Sequence, residues 1–354
     1  MEEEKNIENG NVKKKKKKGL KIFLIILLVL VILLAAIIGF AFWFVNDKLN
    51  KIQKVDINVE ELGVAQQTEE QLEEYRNIAL FGIDSRADVY SQGNRSDCIM
   101  ILSINNKTND VKLFSVYRDT YLDIDGHGLD KVTHAYSYGE APLAIKTLNT
   151  NLDLNIKEFV AVNFNALVHT IDKIGGVTID ITAEELKQIN AHSAGLAKLV
   201  GTSTSTLSGT GRQKLDGPQA VTYSRIRYTE GGDYKRTERM RTVFTAMIEE
   251  MKKKNVFELN GIVDEILPHV YTNISSGEIL STLQKLPSYK IQESIGWPYN
   301  TRGITLDRWY GVPITLESNV LQLHKELFGQ EDYVVPDSIK EISNRIVKKT
   351  GYTK

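Results

Sequence analysis

The sequence predicts an α-β-α sandwich around a mixed central sheet, preceded by one transmembrane helix. Three observations predict it. Residues 22–45 run for 24 positions without a charge. Beyond them, short runs rich in β-branched and aromatic residues alternate with stretches of helical pattern, which places helices on both faces of a sheet. Two of the β runs are joined only by NNKTND (Asn105–Asp110), a hairpin signal that makes the sheet mixed.

Residues 1–21 hold eight lysines and four glutamates, six of the lysines consecutive from Lys13 to Lys18. They read as a solvated basic cytoplasmic tail. The apolar run that follows, IFLIILLVLVILLAAIIGFAFWFV, reads as an uncleaved anchor. As a helix it spans about 36 Å, against a hydrocarbon core of about 30 Å. A signal peptide is the competing reading, but its apolar core is normally about 7–15 residues and ends in small residues. This run ends in Phe42, Trp43 and Phe44, which suit a membrane interface. Lysines stay on the cytoplasmic side, so residues 47–354 are expected outside, and an outer part with a single cysteine suits a Gram-positive-type cell envelope, where disulfides are dispensable. A DNA-binding role for the lysine run is the weaker reading, because its position already explains it.

The overall net charge of −1 hides an asymmetry: residues 47–354 carry 36 basic and 41 acidic residues, a net of −5. That argues against general nucleic-acid binding, which wants a basic face. The single cysteine, Cys98, excludes an internal disulfide framework and a multi-thiolate zinc site.

Residues 46–75 (DKLNKIQ, TEEQLEEY) are polar and helix-prone and read as a membrane-proximal stalk. Strands are expected at 77–83, 98–104, 111–116, 158–164 and 177–182. Helices are expected at about 133–152, 163–174, 183–199, 216–225 and 236–254, then around 275–286 and 316–328. The Gly, Ser and Thr of GTSTSTLSGTG (201–211) mark a loop. The outer domain is placed at 76–335, with a C-terminal tail at 336–354.

Charged residues gather at the expected strand ends. Asp84 and Arg86 follow the first strand (GIDSR), Arg95 and Asp97 lead into the second (NRSD), and Arg118 follows the third. Ligands of open α/β sheets sit at such edges. Arg225 and Arg227 (YSRIRY) share a face if the backbone is extended. GGDYKRTERMR adds Asp233, Arg236, Arg239 and Arg241, with Asp233 a candidate helix cap. Several arginines beside two carboxylates suit a polyphosphate with a hard divalent cation. Ordinary surface ion pairs are the competing reading, and spacing alone does not separate the two.

These residues lie in a longer pattern. NIALFGIDSR, NRSDCIMILSIN, VKLFSVYRDTYLDI, DKVTHAYSYGEAPLAIKTLN, FVAVNFNALVHTIDKIGGVTIDI and LDGPQAVTYSRIRYTEGGDYKRTERMRTVF resemble the LytR–CpsA–Psr family over about residues 76–254. The resemblance implies an α–β–α sandwich with a lipid-holding pocket. It implies transfer of a phosphate-linked glycopolymer, such as wall teichoic acid or capsule, from a polyprenyl pyrophosphate carrier. The implied acceptor is the C6 hydroxyl of N-acetylmuramic acid in peptidoglycan. Asp84 and Asp97 would be the acids associated with Mg²⁺, or with Mn²⁺ in its place. Arg86, Arg95, Arg118, Lys131, Arg225, Arg227 and Arg236 would bind the pyrophosphate. Asp97, Arg118 and Asp233 would form the catalytic set, with Asp233 the candidate base. Two positions depart from the family pattern: Tyr117 stands where Pro precedes the arginine, and Met240 where Gln follows RxxR.

The expected partners are the lipid-linked glycopolymer, peptidoglycan and the plasma membrane, with no nucleic acid. Two alternatives remain at this point: a polyprenyl-pyrophosphate hydrolase, and a non-catalytic wall-associated regulator that binds lipid-linked precursors. Leu143, Ile145, Phe159, Val162, Phe164, Leu167 and Ile171 lie in segments able to line a prenyl slot, though plain core is the better expectation. His127, His134 and His169 lack metal-ligand spacing. Ser85, Ser96 and Ser115 lack a serine-hydrolase pattern. Cys98 reads as an apolar filler, and packing is preferred over sugar contact for Trp297, Trp309 and Tyr310.

Overall fold

The structure, a computed structural model, describes residues 53–85, 90–91, 93–227, 229–255, 258–259, 261–262 and 266–353. The basic tail, the apolar run 22–45 and Arg86 lie outside the described residues. No helix of the described residues is long and apolar enough to cross a membrane.

The chain begins with strand β1 (Gln53–Lys54), a 3₁₀ turn (Val59–Leu62) and helix α1 (Gln66–Gln71). Three strands follow: β2 (Tyr75–Ile83), β3 (Ser96–Asn105) and β4 (Asp110–Val116). β3 and β4 form the expected hairpin. Its turn is held by the Asn105 side chain, which accepts from the N–H groups of Lys107 and Thr108, with Asn109 at φ 60°. A small hairpin, β5 (Tyr121–Ile124) and β6 (Gly128–Lys131), leads into α2 (Val132–Leu152). That helix is kinked at Gly139–Glu140, where Pro142 cannot donate to the preceding turn.

Next come β7 (Glu158–Asn163), α3 (Phe164–Ile174), β8 (Val177–Ile181), α4 (Ala183–Val200), β9 (Gly211–Leu215), α5 (Gly217–Ser224) and α6 (Gly232–Lys252). Capping boxes start two of these helices: Thr182 with Glu185 on α4, and Asp216 with Gln219 on α5. The last part contains β10 (Tyr271–Thr272), α7 (Ser276–Lys285), β11 (Lys290–Ile291), β12 (Ile295–Trp297), β13 (Thr301–Thr305), β14 (Trp309–Pro313), α8 (Leu316–Phe328) and α9 (Asp337–Thr350).

The main sheet runs β1-β10-β7-β2-β3-β4-β11, with β12 also on β4. β2 is parallel to β7 and antiparallel to β3, and β3 is antiparallel to β4, so the sheet is mixed as the sequence predicts. The period-2 alternation divides two cores. Ala79, Phe81, Ile99 and Ile101 face α2, α8 and α9 with Tyr136, Leu148 and Leu323. Ile78, Leu80 and Leu102 lie in the core of α3, α5 and α6 with Val168, Val221 and Val243.

Two boundaries differ from the sequence reading. Residues 58–72 are not only stalk: Leu62 and Leu72 are buried, and Thr68 donates to Asp153 at 2.5 Å. Residues 337–350 are not a tail. Ile339, Ile342 and Ile346 recur at helical spacing and bury one stripe of α9 in the core, while Arg345 pairs with Asp123.

β2, β4 and β7 end, and β3 begins, at one edge of the sheet.

Candidate active site

The charged residues predicted from sequence meet at this edge. The register of β2 against β3 shifts between Gly82, opposite Cys98, and Ile83, opposite Ser96. Asp97 is the residue left without a cross-strand partner, and such bulges re-aim side chains beside functional sites. Its carboxylate is largely enclosed. Arg118, just past β4, donates from Nη1 to Asp97 Oδ1. Asp97 Oδ2 lies 3.7 Å from Arg227 Nη2 and 3.9 Å from Arg236 Nη1. Asp233, in the first turn of α6, has Oδ1 2.8 Å from Arg236 Nη2 and 3.7 Å from Arg227 Nε.

Lys131, at the end of β6, sits 2.7 Å from Asp119 Oδ1, which is also 3.9 Å from Arg118 Nε. The sequence reading passed over Asp119 as a site residue. Its signal was adjacency to Arg118. Asp84 is exposed, and its N–H donates to the Arg95 carbonyl at 3.2 Å. Both act on Asp97 electrostatically, Asp84 raising and Arg95 lowering its carboxyl.

Two features prepare this cluster for an anion. Burial pushes the Asp97 carboxyl above the usual range against the opposing pull of Arg118, and burial also raises Asp233, helped by Asp119. The Nε groups of Arg118 and Arg236 are buried and donate to nothing among the described residues, although the Arg236 side chain is only 3% exposed. Buried guanidinium donors left open are costly, and a phosphate oxygen satisfies them.

Not every predicted residue joins. Arg225 ends α5 in a helical conformation, so it does not share an extended face with Arg227. Its exposed guanidinium lies 4.5 Å over the Phe164 ring. Arg239 is a strut: its Nε donates to Glu185 at 2.7 Å, and its other nitrogens hold the Ile226 carbonyl and Thr229. Those bonds tie α6 to α4 and to the loop that carries Arg227. Arg241 is buried against Ser115. Asp233 is not the cap of α6; Gly231 holds that position. Tyr117, the departure before Arg118, packs edge-on to Tyr234 at 4.6 Å.

Beside the cluster an apolar cavity of about 370 Å³ runs between the sheet and α3 and α6. Leu80, Met100, Val162, Phe164, Phe244 and Met247 line it. Its lining at the strand edge includes Gly82, Asn163 and Cys98, which follows Asp97 in the chain. Of the apolar residues named from sequence, Val162, Phe164 and Leu167 line the cavity. Leu143, Ile145 and Phe159 belong to the opposite face, and Ile171 is core on the same face. Met240 also lines the cavity and adds to its apolar wall. Cys98 lines it too, its thiol pushed up to about 12 by burial.

His134 Nδ1 lies 2.8 Å from Asp130, and His127 stacks on Tyr138. Among the described residues there is no group of three or more metal-ligating side chains. Trp297 and Tyr310 are packed, as expected, but Trp309 is 42% exposed.

The LytR_cpsA_psr family model matches residues 42–314. The chain is 30% identical over 237 residues to the polyisoprenyl-teichoic acid–peptidoglycan teichoic acid transferase TagT of Bacillus subtilis, covering 64% of this chain and 70% of that protein. Its fold matches the crystal structure of a protein described as a transcriptional regulator from Enterococcus faecalis, with a TM-score of 0.61 and 26% identity, covering 80% of this chain and 97% of that one. It also matches Bacillus subtilis TagT with bound octaprenyl pyrophosphate lipid, with a TM-score of 0.51 and 22% identity, covering 79% and 92%.

Proposed function

The chain belongs to the LytR–CpsA–Psr family, and on that premise we propose that it is a membrane-anchored glycopolymer–peptidoglycan phosphotransferase. It moves a phosphate-linked anionic glycopolymer from a polyprenyl pyrophosphate carrier to the C6 hydroxyl of N-acetylmuramic acid. One observation carries the reading: an apolar cavity reaches Cys98, the neighbour of Asp97, and Arg118 and Arg236 of the same cluster keep buried Nε donors with no hydrogen-bond acceptor among the described residues. That pairing suits a pyrophosphate on a hydrocarbon chain. The relative solved with octaprenyl pyrophosphate shares the fold. The apolar run 22–45 would hold the domain beside its lipid donor, outside the membrane.

In the reaction the acceptor hydroxyl oxygen attacks the phosphorus that carries the saccharide. The bond from that phosphorus to the bridging oxygen breaks, and polyprenyl phosphate leaves. Arg118, Arg227 and Arg236 hold the phosphate oxygens and neutralise the charge that develops. Lys131, held by Asp119, and Arg95 extend the positive rim. Asp233 accepts the hydroxyl proton. Asp84 and Asp97 would hold Mg²⁺: they are two oxygen donors near enough to influence each other, a donor type that suits a hard divalent cation beside phosphate. When bound there, the ion would neutralise pyrophosphate charge.

Asp233 must be ionised to accept a proton. Burial raises its carboxyl, so transfer should fall as pH drops through a value above the ordinary 3.8. A pH–rate profile checks this. The acid limb should be displaced upward in the wild type, and Asp233→Asn should be slow at every pH. A rate that stays flat down to the ordinary carboxylate range contradicts the base assignment.

The cavity has its own test. Met247→Trp fills space in the lining and should weaken polyprenyl pyrophosphate binding by about tenfold, about 1.4 kcal/mol. Inorganic pyrophosphate should bind as before. Unchanged lipid affinity would remove the cavity from the donor site.

A further inference from the structure

The hairpin β13–β14 is docked on the catalytic edge. The Gly311 N–H donates to the Asp119 carbonyl at 2.9 Å, and Gly311 bridges to Thr120. Tyr310 is buried, 5.9 Å from Lys131 Nζ, with its hydroxyl donating to Asp307 at 2.7 Å. Trp309 points the other way. Its indole covers Gly303, where an added Cβ would lie 2.8 Å from Nε1. Tyr234, the residue after Asp233, is 38% exposed, and its hydroxyl shares a hydrogen bond with Thr301 of the same hairpin. A Cβ on Gly311 would lie 3.7 Å from both the Trp309 ring and the Tyr234 hydroxyl. Two part-exposed aromatic residues therefore approach one glycine, and one of them follows the candidate base in the chain.

Burying these rings would be favourable, yet they are left open next to the reacting centre. The two residues before Trp309, Asp307 and Arg308, carry charges of both signs and are more than half exposed. An aromatic face with a polar rim matches a pyranose ring, whose C–H face is apolar and whose edge is hydroxylated. It does not match a lipid tail, which already has the cavity.

Position favours the same occupant. The cavity lies on the α3/α6 face of the sheet, while Tyr310 and Val312 of the hairpin belong to the core of the α2/α8 face. The phosphate cluster stands at the sheet edge between them. In-line displacement needs the nucleophile opposite the leaving group. With polyprenyl phosphate leaving toward the cavity, the acceptor arrives from the hairpin side.

We propose that the Trp309–Tyr234 surface is the acceptor subsite, stacking a sugar ring of the peptidoglycan glycan strand and presenting its hydroxyl to Asp233. This rests on the transferase reading.

The test uses the full chain in detergent, labelled with 5-fluorotryptophan, and muramidase-released peptidoglycan oligosaccharides as the probe. The Trp309 fluorine signal, assigned by its loss in Trp309→Phe, should shift on adding oligosaccharide and stay in place on adding polyprenyl pyrophosphate. Trp309→Ala should raise the dissociation constant for oligosaccharide at least tenfold and leave that for polyprenyl pyrophosphate unchanged. A Trp309 signal indifferent to oligosaccharide overturns the subsite, whatever the alanine variant does. The two readings fail separately. Transfer with an indifferent Trp309 sinks the subsite alone. A shifted Trp309 with no transfer to any glycan sinks the transferase and keeps the sugar site.

Discussion

Arg118→Ala is expected to lower glycopolymer transfer by about 10³-fold, the upper end of what one preorganised donor contributes to a developing anion. Arg118 acts twice. Its Nη1 donates to Asp97, and its buried Nε has no acceptor among the described residues. Without it, the pyrophosphate loses a donor and Asp97 is left with the more distant Arg227 and Arg236, at 3.7 and 3.9 Å, and the electrostatic pull of Arg95. Arg118→Lys should recover little, because an ammonium cannot present two fixed donors in one plane. Single-turnover transfer kinetics check this. A loss of only a few-fold in Arg118→Ala would show that the arginine is a surface ion pair and not part of the reacting centre.

Arg239→Ala should have the largest effect on stability, about 3–5 kcal/mol, because it strands a buried carboxylate. Arg239 and Glu185 are 3% and 6% exposed, and their bond joins α6 to α4. For a chain of this size the melting temperature should fall by on the order of 10 °C. Combining Arg239→Met with Glu185→Gln should restore most of the loss. The buried charge is then gone, and Gln still closes the capping box with Thr182. A change below about 1 kcal/mol in Arg239→Ala would mean that the pair is hydrated and not a strut.

The contrast between these two arginines marks what the sequence can express. Asp84, Asp97, Arg118 and Arg227 were legible because each falls at a strand or helix boundary, where the fold class brings chain ends to one edge. Arg239 sits in the same charged run as Arg236. Only helix phase and the partner on α4 separate a strut from a member of the charged cluster at the sheet edge. Spacing in one segment does not report a partner 54 positions away.

The long strands and helices were equally legible, since period-2 and period-3.6 patterns persist over several turns. β5, β6 and β10–β14 were not. They have two to five residues each, too few for a period, and their pairing is set by the elements already in place. The exposed Trp309 belongs to this class. A tryptophan in an unassigned segment defaults to core, and only the docking of β13–β14 turns it outward. Helix α9 is different. Its isoleucine stripe was present in the sequence, and its terminal position obscured it.

The most direct measurement presents the full chain in detergent with a synthetic polyprenyl-pyrophosphate-linked saccharide and peptidoglycan oligomers, with and without Mg²⁺. Mass spectrometry then reads the glycan. The expected result is a saccharide-phosphate adduct on the glycan, dependent on Mg²⁺ and absent in Arg118→Ala. Release of polyprenyl phosphate with no adduct would contradict the transferase and leave a hydrolase. Tight lipid binding with no turnover would leave a binding protein.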